Sequence, residues 1–284
     1  MHAMDILTVE KLCKSYPGFS LSDVSFSLEP GKITGFIGRN GAGKTTTLKS
    51  LMNLVHPDGG EIRFWGKSFE ESELEIKRRV GFAAGGISCY PIKKIKTITA
   101  VTRRFYPQWD TGIYEKYIKL FGLDENKTPA QLSEGMKVKY SLALALSHHA
   151  DLLILDEPTS GLDPVSREEL LDIFMDLCGG GTTILFSTHI TSDLEKCADN
   201  IIYIHKGRIA ASDELTHFLR RYQVVSISGD EMESVDQRKL IGCKRSKNGY
   251  TALIPTGEAE QWSAPKDADL ETIMVHMEKD ADSQ

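Results

Sequence analysis

Cysteine is scarce in this chain of 284 residues. The five thiols, Cys13, Cys89, Cys178, Cys197 and Cys243, are odd in number and widely scattered, with no C-x-x-C pair. That distribution argues against a disulfide framework or a cysteine-based metal site and reads as reduced thiols in a cytosolic protein. His148-His149 has no acidic or cysteine companions at ligand spacing and reads as a helix-end or loop pair. Long apolar runs are missing too. The longest, over residues 142–155, is interrupted by Ser147, His148, His149 and Asp151, so no segment is expected to span a bilayer. Met1-His2-Ala3-Met4-Asp5 shows no basic region followed by apolar residues, so no signal peptide is expected. Basic charge is not in excess either. Against 34 Lys and Arg stand 40 Asp and Glu, a net charge of −6, which argues against broad non-specific binding to nucleic acid. What remains, 40% hydrophobic and 26% charged residues, is the balance of a soluble globular protein. The length suits one large domain, or one domain plus a small appendage.

The stretch that organises the rest is Gly38-Arg39-Asn40-Gly41-Ala42-Gly43-Lys44-Thr45, which matches G-x-x-x-x-G-K-[ST]. Its glycines let successive backbone N–H groups turn inward as a nest for phosphate oxygens. Lys44 is suited to the β- and γ-phosphates, and the Thr45 hydroxyl to Mg²⁺. A β-branched and aromatic run, residues 33–37, precedes the loop. Thr46-Thr47-Leu48-Lys49-Ser50-Leu51-Met52 follows it as a helix whose positive N-terminal end faces the phosphates. Strand, glycine loop and helix in this order predict a nucleotide site.

Along the chain, residues 6–10 and 21–28 read as strands around a turn at Tyr16-Pro17-Gly18. In the second, Val24, Phe26 and Leu28 alternate with Ser25 and Ser27, as in an antiparallel sheet with one covered face. A strand is expected over 59–66, a charged helix over 70–79 and a short strand over 80–84. Residues 91–123 read mainly as helices interrupted near Pro107, Gly112 and Gly122. Lys93, Lys94, Lys96, Arg103 and Arg104 make this stretch locally basic, the pattern of a solvated helix face. Continuous apolar runs at 152–155 and 183–187 suit buried parallel strands. A helix over 165–177 opens at Pro164. Residues 201–211 read as a hairpin about Lys206-Gly207, after which Ser212-Asp213-Glu214 is expected to cap a helix to about residue 222. Beyond that, strands near 224–228, 242–247 and 250–254 and a helix near 270–277 predict a small α+β appendage.

The strand over 152–155 runs into Asp156-Glu157, two carboxylates on opposite sides of a strand end. Asp156 fits a direct or indirect carboxylate for Mg²⁺, and Glu157 a base for water attacking the γ-phosphate. Without the phosphate loop upstream, the pair reads equally well as a helix cap or turn.

With these motifs together the chain resembles the ATP-binding subunit of an ABC transporter over residues 5–222. Tyr16 stands where that family places an aromatic that stacks on adenine. Leu132-Ser133-Glu134-Gly135-Met136 is similar to the LSGGQ signature and precedes a helix over 137–146. Ser160-Gly161-Leu162-Asp163 matches the D-loop, and His189, after the strand over 183–188, the switch histidine. Taken alone, His189 reads as a structural histidine and Ser133 as an ordinary helix cap. The resemblance implies an α/β fold. A RecA-like P-loop NTPase core would carry an antiparallel β subdomain and a helical subdomain at about 87–146, all within 1–222, with the appendage over 223–284.

The resemblance also implies cofactors and partners. ATP and Mg²⁺ would be held by the phosphate loop through Thr46, with Thr45 and Asp156 toward the metal. Ser133 and Gly135 would serve the ATP of an opposing subunit, and Asp163 of the D-loop would also bind nucleotide. A homodimer or heterodimer would then sandwich two ATP head to tail, with Lys44, Ser133 and His189 about the γ-phosphate and Glu157 on the water. The segment 91–133 would dock a separate transmembrane permease, placing the chain on the cytoplasmic membrane face, with no nucleic-acid partner. Transport is expected to be export.

Two departures stand out. Glu134 and Met136 replace the signature's Gly and Gln, and no Gln occurs near Ala84-Gly85-Gly86, where the family's Q-loop falls. The second puts coupling and turnover rate in question. The alternatives are a soluble ABC-type ATPase acting on ribosomes or nucleic acid, which lacks support in a single-cassette acidic chain, and a slow, binding-only subunit.

Overall fold

The structure, a computed structural model, describes residues 5–84, 90–233, 235–262 and 264–283. The chain forms two compact units. One comprises residues up to 189 together with 200–212, the other 190–199 together with 213 onward.

In chain order, β1 (Leu7–Tyr16) and β2 (Phe19–Leu28) form an antiparallel hairpin with Tyr16 opposite Phe19. Gly18, at φ 83°, supplies the left-handed turn residue. β1 runs six residues past its apolar start. The pairing carries through register shifts around Lys11, whose φ is 48°, so a polar stretch is still strand. β3 (Ile33–Ile37) is buried throughout and feeds α1 (Lys44–Leu51). β4 (Gly59–Phe64) and the short β5 (Lys67–Ser68) complete a four-stranded sheet of order β2-β1-β4-β5. α2 (Phe69–Arg79) starts on a capping box between Ser68 and Glu71, and β6 (Val80–Ala84) follows it. The Q-loop position lies at the end of β6 and in Gly85-Gly86, which are outside the described residues.

α3 (Ile95–Thr102), α4 (Thr111–Leu120) and α5 (Glu134–Ser147) make the helical part. Gly112 does not interrupt it. The Asp110 carboxylate accepts the Ile113 N–H at 2.9 Å and starts α4 one residue before the glycine. A buried polar knot joins the three helices. The Thr99 hydroxyl lies 2.8 Å from both the Tyr114 and Tyr140 hydroxyls, and Tyr140 donates to the Ile95 carbonyl at 3.0 Å. Burial pushes the Tyr140 phenol up to about 12 and that of Tyr114 upward as well. His148 ends α5 and stacks on Tyr106, with ring centroids 3.9 Å apart.

β7 (Leu152–Asp156), α6 (Pro164–Gly179) and β8 (Thr183–Thr188) follow, then α7 (Thr191–Cys197), β9 (Asn200–His205) and β10 (Arg208–Glu214). The second sheet has the order β10-β9-β3-β8-β7-β6, with β3, β6, β7, β8 and β9 paired in parallel. Its central strands are apolar on both faces, which is why they read as unbroken hydrophobic runs. Lys206 (φ 44°) and Gly207 (φ 77°) make the tight turn between β9 and β10. Gly207 has to be glycine, because a Cβ there would lie 1.9 Å from the Ser20 carbonyl oxygen.

The sequence expectation of a cap at Ser212-Asp213-Glu214 is corrected. β10 extends through Glu214, and α8 (Leu215–Arg220) begins without a side-chain cap. Asp213 pairs instead with His217 at 2.8 Å and Arg221 at 3.2 Å. In the second unit β11 (Tyr222–Ile227), β12 (Ile241–Ser246), β13 (Gly249–Pro255) and β14 (Lys266–Asp267) form an antiparallel sheet of order β12-β13-β11-β14. Val225, Ile227, Leu240, Ala252 and Ile254 form its core. α9 (Leu270–Ser283) packs on β12, and the Leu270 N–H at its start is accepted by Glu195 of α7 at 2.6 Å.

Candidate nucleotide-binding site

Strands β3, β8 and β7 are neighbours in one parallel sheet, so their carboxyl ends open on the same edge. The glycine loop leaves β3, His189 follows β8, and Asp156-Glu157 ends β7. Sequence segments more than a hundred residues apart meet there because of the strand order alone.

The loop has little room for side chains. A Cβ on Gly38 would lie 2.3 Å from the Ile204 carbonyl oxygen. Gly43, at φ 115°, would press one to 2.5 Å from Leu21 Cδ2. Gly41 has φ 83°. Ala42 is buried and ties the loop to the β9–β10 turn, its carbonyl accepting the Gly207 N–H at 3.0 Å. Gly43 caps α1 without a side-chain hydrogen bond, so the amides of the first turn are left to an anion.

Lys44 is buried at 6% exposure. Its ammonium donates to the Gly38 carbonyl at 2.6 Å and lies 3.5 Å from Glu157 Oε1. The other Glu157 oxygen is 2.8 Å from His189 Nδ1. One carboxylate is therefore held between an ammonium and an imidazole. Glu157 has φ 53°, a conformation that costs a side-chain-bearing residue about 1 kcal/mol. Asp156, 8% exposed, accepts the Ser187 hydroxyl at 2.6 Å.

Arg39, Asn40, Gly41, Gly43, Lys44, Thr45, Thr46, Glu157 and His189 line one cleft of about 590 Å³, a size suited to a nucleotide. Gly38 and Ala42 support the loop without lining it. Tyr16, 43% exposed at the end of β1, does not line the cleft, whereas Gly18 and Phe19 do. Phe19 and Ser187 escaped the sequence reading. A buried hydroxyl directly after the apolar run Ile184-Leu185-Phe186 was the available signal for the second.

The residues fit phosphate and Mg²⁺. An uncapped helix start and a buried ammonium suit an anion, and one hydroxyl, Thr45, with one carboxylate, Asp156, is the sparse oxygen set that Mg²⁺ takes beside phosphates. Among the described residues no group of three His, Cys, Asp or Glu side chains is placed to hold a metal ion by itself.

The signature residues lie apart from the cleft. Ser133 caps α5, its hydroxyl accepting the Met136 N–H at 3.2 Å. Gly135 faces Leu162, whose Cδ2 would sit 2.4 Å from a Cβ. Glu134 pairs with Lys137 at 2.6 Å. Asp163 caps α6, accepting the N–H groups of Val165 and Ser166 at 3.1 and 3.0 Å, and these bonds lower its carboxyl pKa.

Strand, glycine loop and helix, with two carboxylates and a histidine on adjacent strands, define a P-loop nucleotide-binding cassette. Comparison with known proteins narrows the class. The family model described as ABC transporter matches residues 21–160. The chain is 32% identical to the bacitracin transport ATP-binding protein BcrA of Bacillus licheniformis over 225 residues, 78% of this chain and 72% of that protein. It is 35% identical to the Nod factor export ATP-binding protein I of Burkholderia lata over 193 residues, 66% of this chain and 64% of that protein. Its fold matches a solved dimeric ATP-binding cassette in a post-hydrolysis state with ADP and Pi. There the TM-score is 0.65 and the identity 22%, covering 74% of this chain and 98% of the other. The chain belongs to the ABC transporter family, as an ATP-binding subunit.

Proposed function

We propose that this chain hydrolyses ATP to drive a separate membrane permease, in an exporter, through ATP-dependent head-to-tail pairing of two cassettes. The observation that carries the reading is the Glu157 carboxylate, held between Lys44 and His189 at the mouth of the phosphate cleft. In that position it takes the proton of a water attacking the γ-phosphorus as the bond to the β,γ-bridging oxygen breaks and ADP leaves. Lys44 and the first-turn amides of α1 neutralise the phosphate oxygens, and His189 orients Glu157. Mg²⁺, held by Thr45 and Asp156, would supply further charge neutralisation.

Ser133 and Gly135 do not line this chain's own cleft, which favours their serving the nucleotide of an opposing cassette, identical or not. Glu134 is neutralised by Lys137, so the altered signature need not repel a phosphate. Among the described residues no helix is long and apolar enough to cross a membrane, and the proposed permease is a separate chain. Exposed Ile92, Val101 and Phe105 in the helical part offer that chain an apolar face. Export follows the direction in the name of the Burkholderia relative.

The test is a pull-down of the tagged chain from detergent-solubilised host membranes. A multi-span membrane protein in stoichiometric amount is expected. Recovery of only soluble or ribosomal components would overturn the permease assignment.

A further inference from the structure

We infer that Ser187 is a positioning residue that couples the metal-side carboxylate to the hydrolytic one. The inference rests on the ATPase reading above. Ser187 stands in β8 directly opposite Asp156 of β7, in parallel register. It is fully buried, in a strand where it follows the apolar Ile184, Leu185 and Phe186 and where Thr183 and Thr188 are buried as well. A hydroxyl in such a place needs partners, because burying it unpaired costs about 1–3 kcal/mol.

Both of its hydrogen-bonding roles are engaged between the two acidic residues. The hydroxyl donates its proton to Asp156 Oδ1 at 2.6 Å. Its oxygen accepts the Glu157 N–H at 3.0 Å, and the Ser187 carbonyl accepts the same N–H at 3.1 Å. The first bond fixes the rotation of a carboxylate that is itself 8% exposed. The second holds the backbone at the residue whose φ of 53° turns the chain away from the strand. That turn aims the Glu157 side chain back across the cleft to Lys44 and His189. One oxygen atom thus sets the orientation of Asp156 and the direction of Glu157. Without it, Asp156 loses its donor and can rotate, while Glu157 keeps only the shared bond to the Ser187 carbonyl.

The functional consequence is specific. Removing the hydroxyl leaves the phosphate loop, Lys44 and the amides of α1 in place, so nucleotide binding without metal is unaffected. What weakens is the gain that Mg²⁺ adds to binding, together with the rate of turnover. Groups that orient metal ligands characteristically contribute about tenfold or more when removed.

The test compares wild type, S187A and S187T, using a fluorescent ATP analogue with and without Mg²⁺, steady-state ATPase rates and thermal melting. S187A is expected to keep wild-type affinity for the analogue without metal. The Mg²⁺ concentration for half-maximal effect should rise about tenfold and kcat fall about tenfold, with KM changed far less. S187T, which retains the hydroxyl, is expected to restore both. If S187A does not fold, S187C, of similar volume but with a weak donor, carries the same expectations. An Mg²⁺ dependence and kcat equal to wild type would overturn the inference. So would equal losses with and without Mg²⁺, which mark a merely structural role. A wild-type chain that turns over no ATP alone or with its membrane partner would instead overturn the ATPase reading, a separate outcome.

Discussion

Replacing Lys44 by alanine removes an ammonium that sits 6% exposed between the loop carbonyls and Glu157. A charge-assisted bond to phosphate is worth about 1.5–3 kcal/mol, so K44A is expected to bind ATP at least about tenfold more weakly in a fluorescent-nucleotide titration. Unchanged affinity would contradict the phosphate-cleft reading. His148 makes a different prediction at the same scale. Burial lowers its pKa from 6.5 to about 4, so the folded protein keeps it neutral, stacked on Tyr106. The unfolded chain binds the proton more readily, so stability is complete above about pH 6.5 and is lost as pH falls toward 4. The loss from this residue is about 2 kcal/mol at pH 5. H148F keeps the stacking and removes the titration. Melting curves at pH 7 and pH 5 should show a smaller acid-induced drop in Tm for H148F than for wild type. An equal drop would assign the acid sensitivity to other groups.

At the level of elements, α9 docks on β12 through a contact with no slack. Gly242 has φ 58°, and a Cβ there would lie 1.6 Å from the His276 carbonyl oxygen, a backbone atom that cannot swing aside. The buried His276 ring returns a hydrogen bond to the Gly242 carbonyl at 2.5 Å. G242A is expected to destabilise the second unit by on the order of 3 kcal/mol and to release α9 to limited proteolysis. A protease pattern identical to wild type would refute this packing argument. The elements themselves were unevenly legible. β3, β7 and β8 read directly from sequence, because strands buried on both faces leave unbroken apolar runs. The glycine loop was equally plain, since close backbone approach admits few residue types. The far half of β1 was hidden, because Lys11, Cys13 and Lys14 carry no alternation and it is the pairing with β2 and β4 that keeps this stretch in the sheet. β5 and β14, two residues each, are too short to leave a pattern. Asp213 looked like a cap because the residue type suits one. Its bonds to His217 and Arg221, one and two turns away, engage it elsewhere.

At the scale of the whole molecule, the site is assembled by topology. The cleft depends on β8 lying between β3 and β7, an order no local pattern encodes, and the motifs were recognisable only because each carries its own chemistry. The roles proposed for Ser133, Gly135 and Asp163 were least legible, because in a single chain their groups serve as helix caps and packing. Those roles acquire a nucleotide partner only if two cassettes meet. The central claim is therefore that ATP closes a dimer which Glu157 then opens by hydrolysis. The most direct measurement is size-exclusion chromatography with light scattering on E157Q, with ATP and Mg²⁺ and without them, alongside its ATPase rate. The mass is expected to double only with nucleotide, and turnover to fall by about a hundredfold or more. A chain that stays monomeric with ATP bound, or one that hydrolyses ATP at the wild-type rate, would contradict the claim.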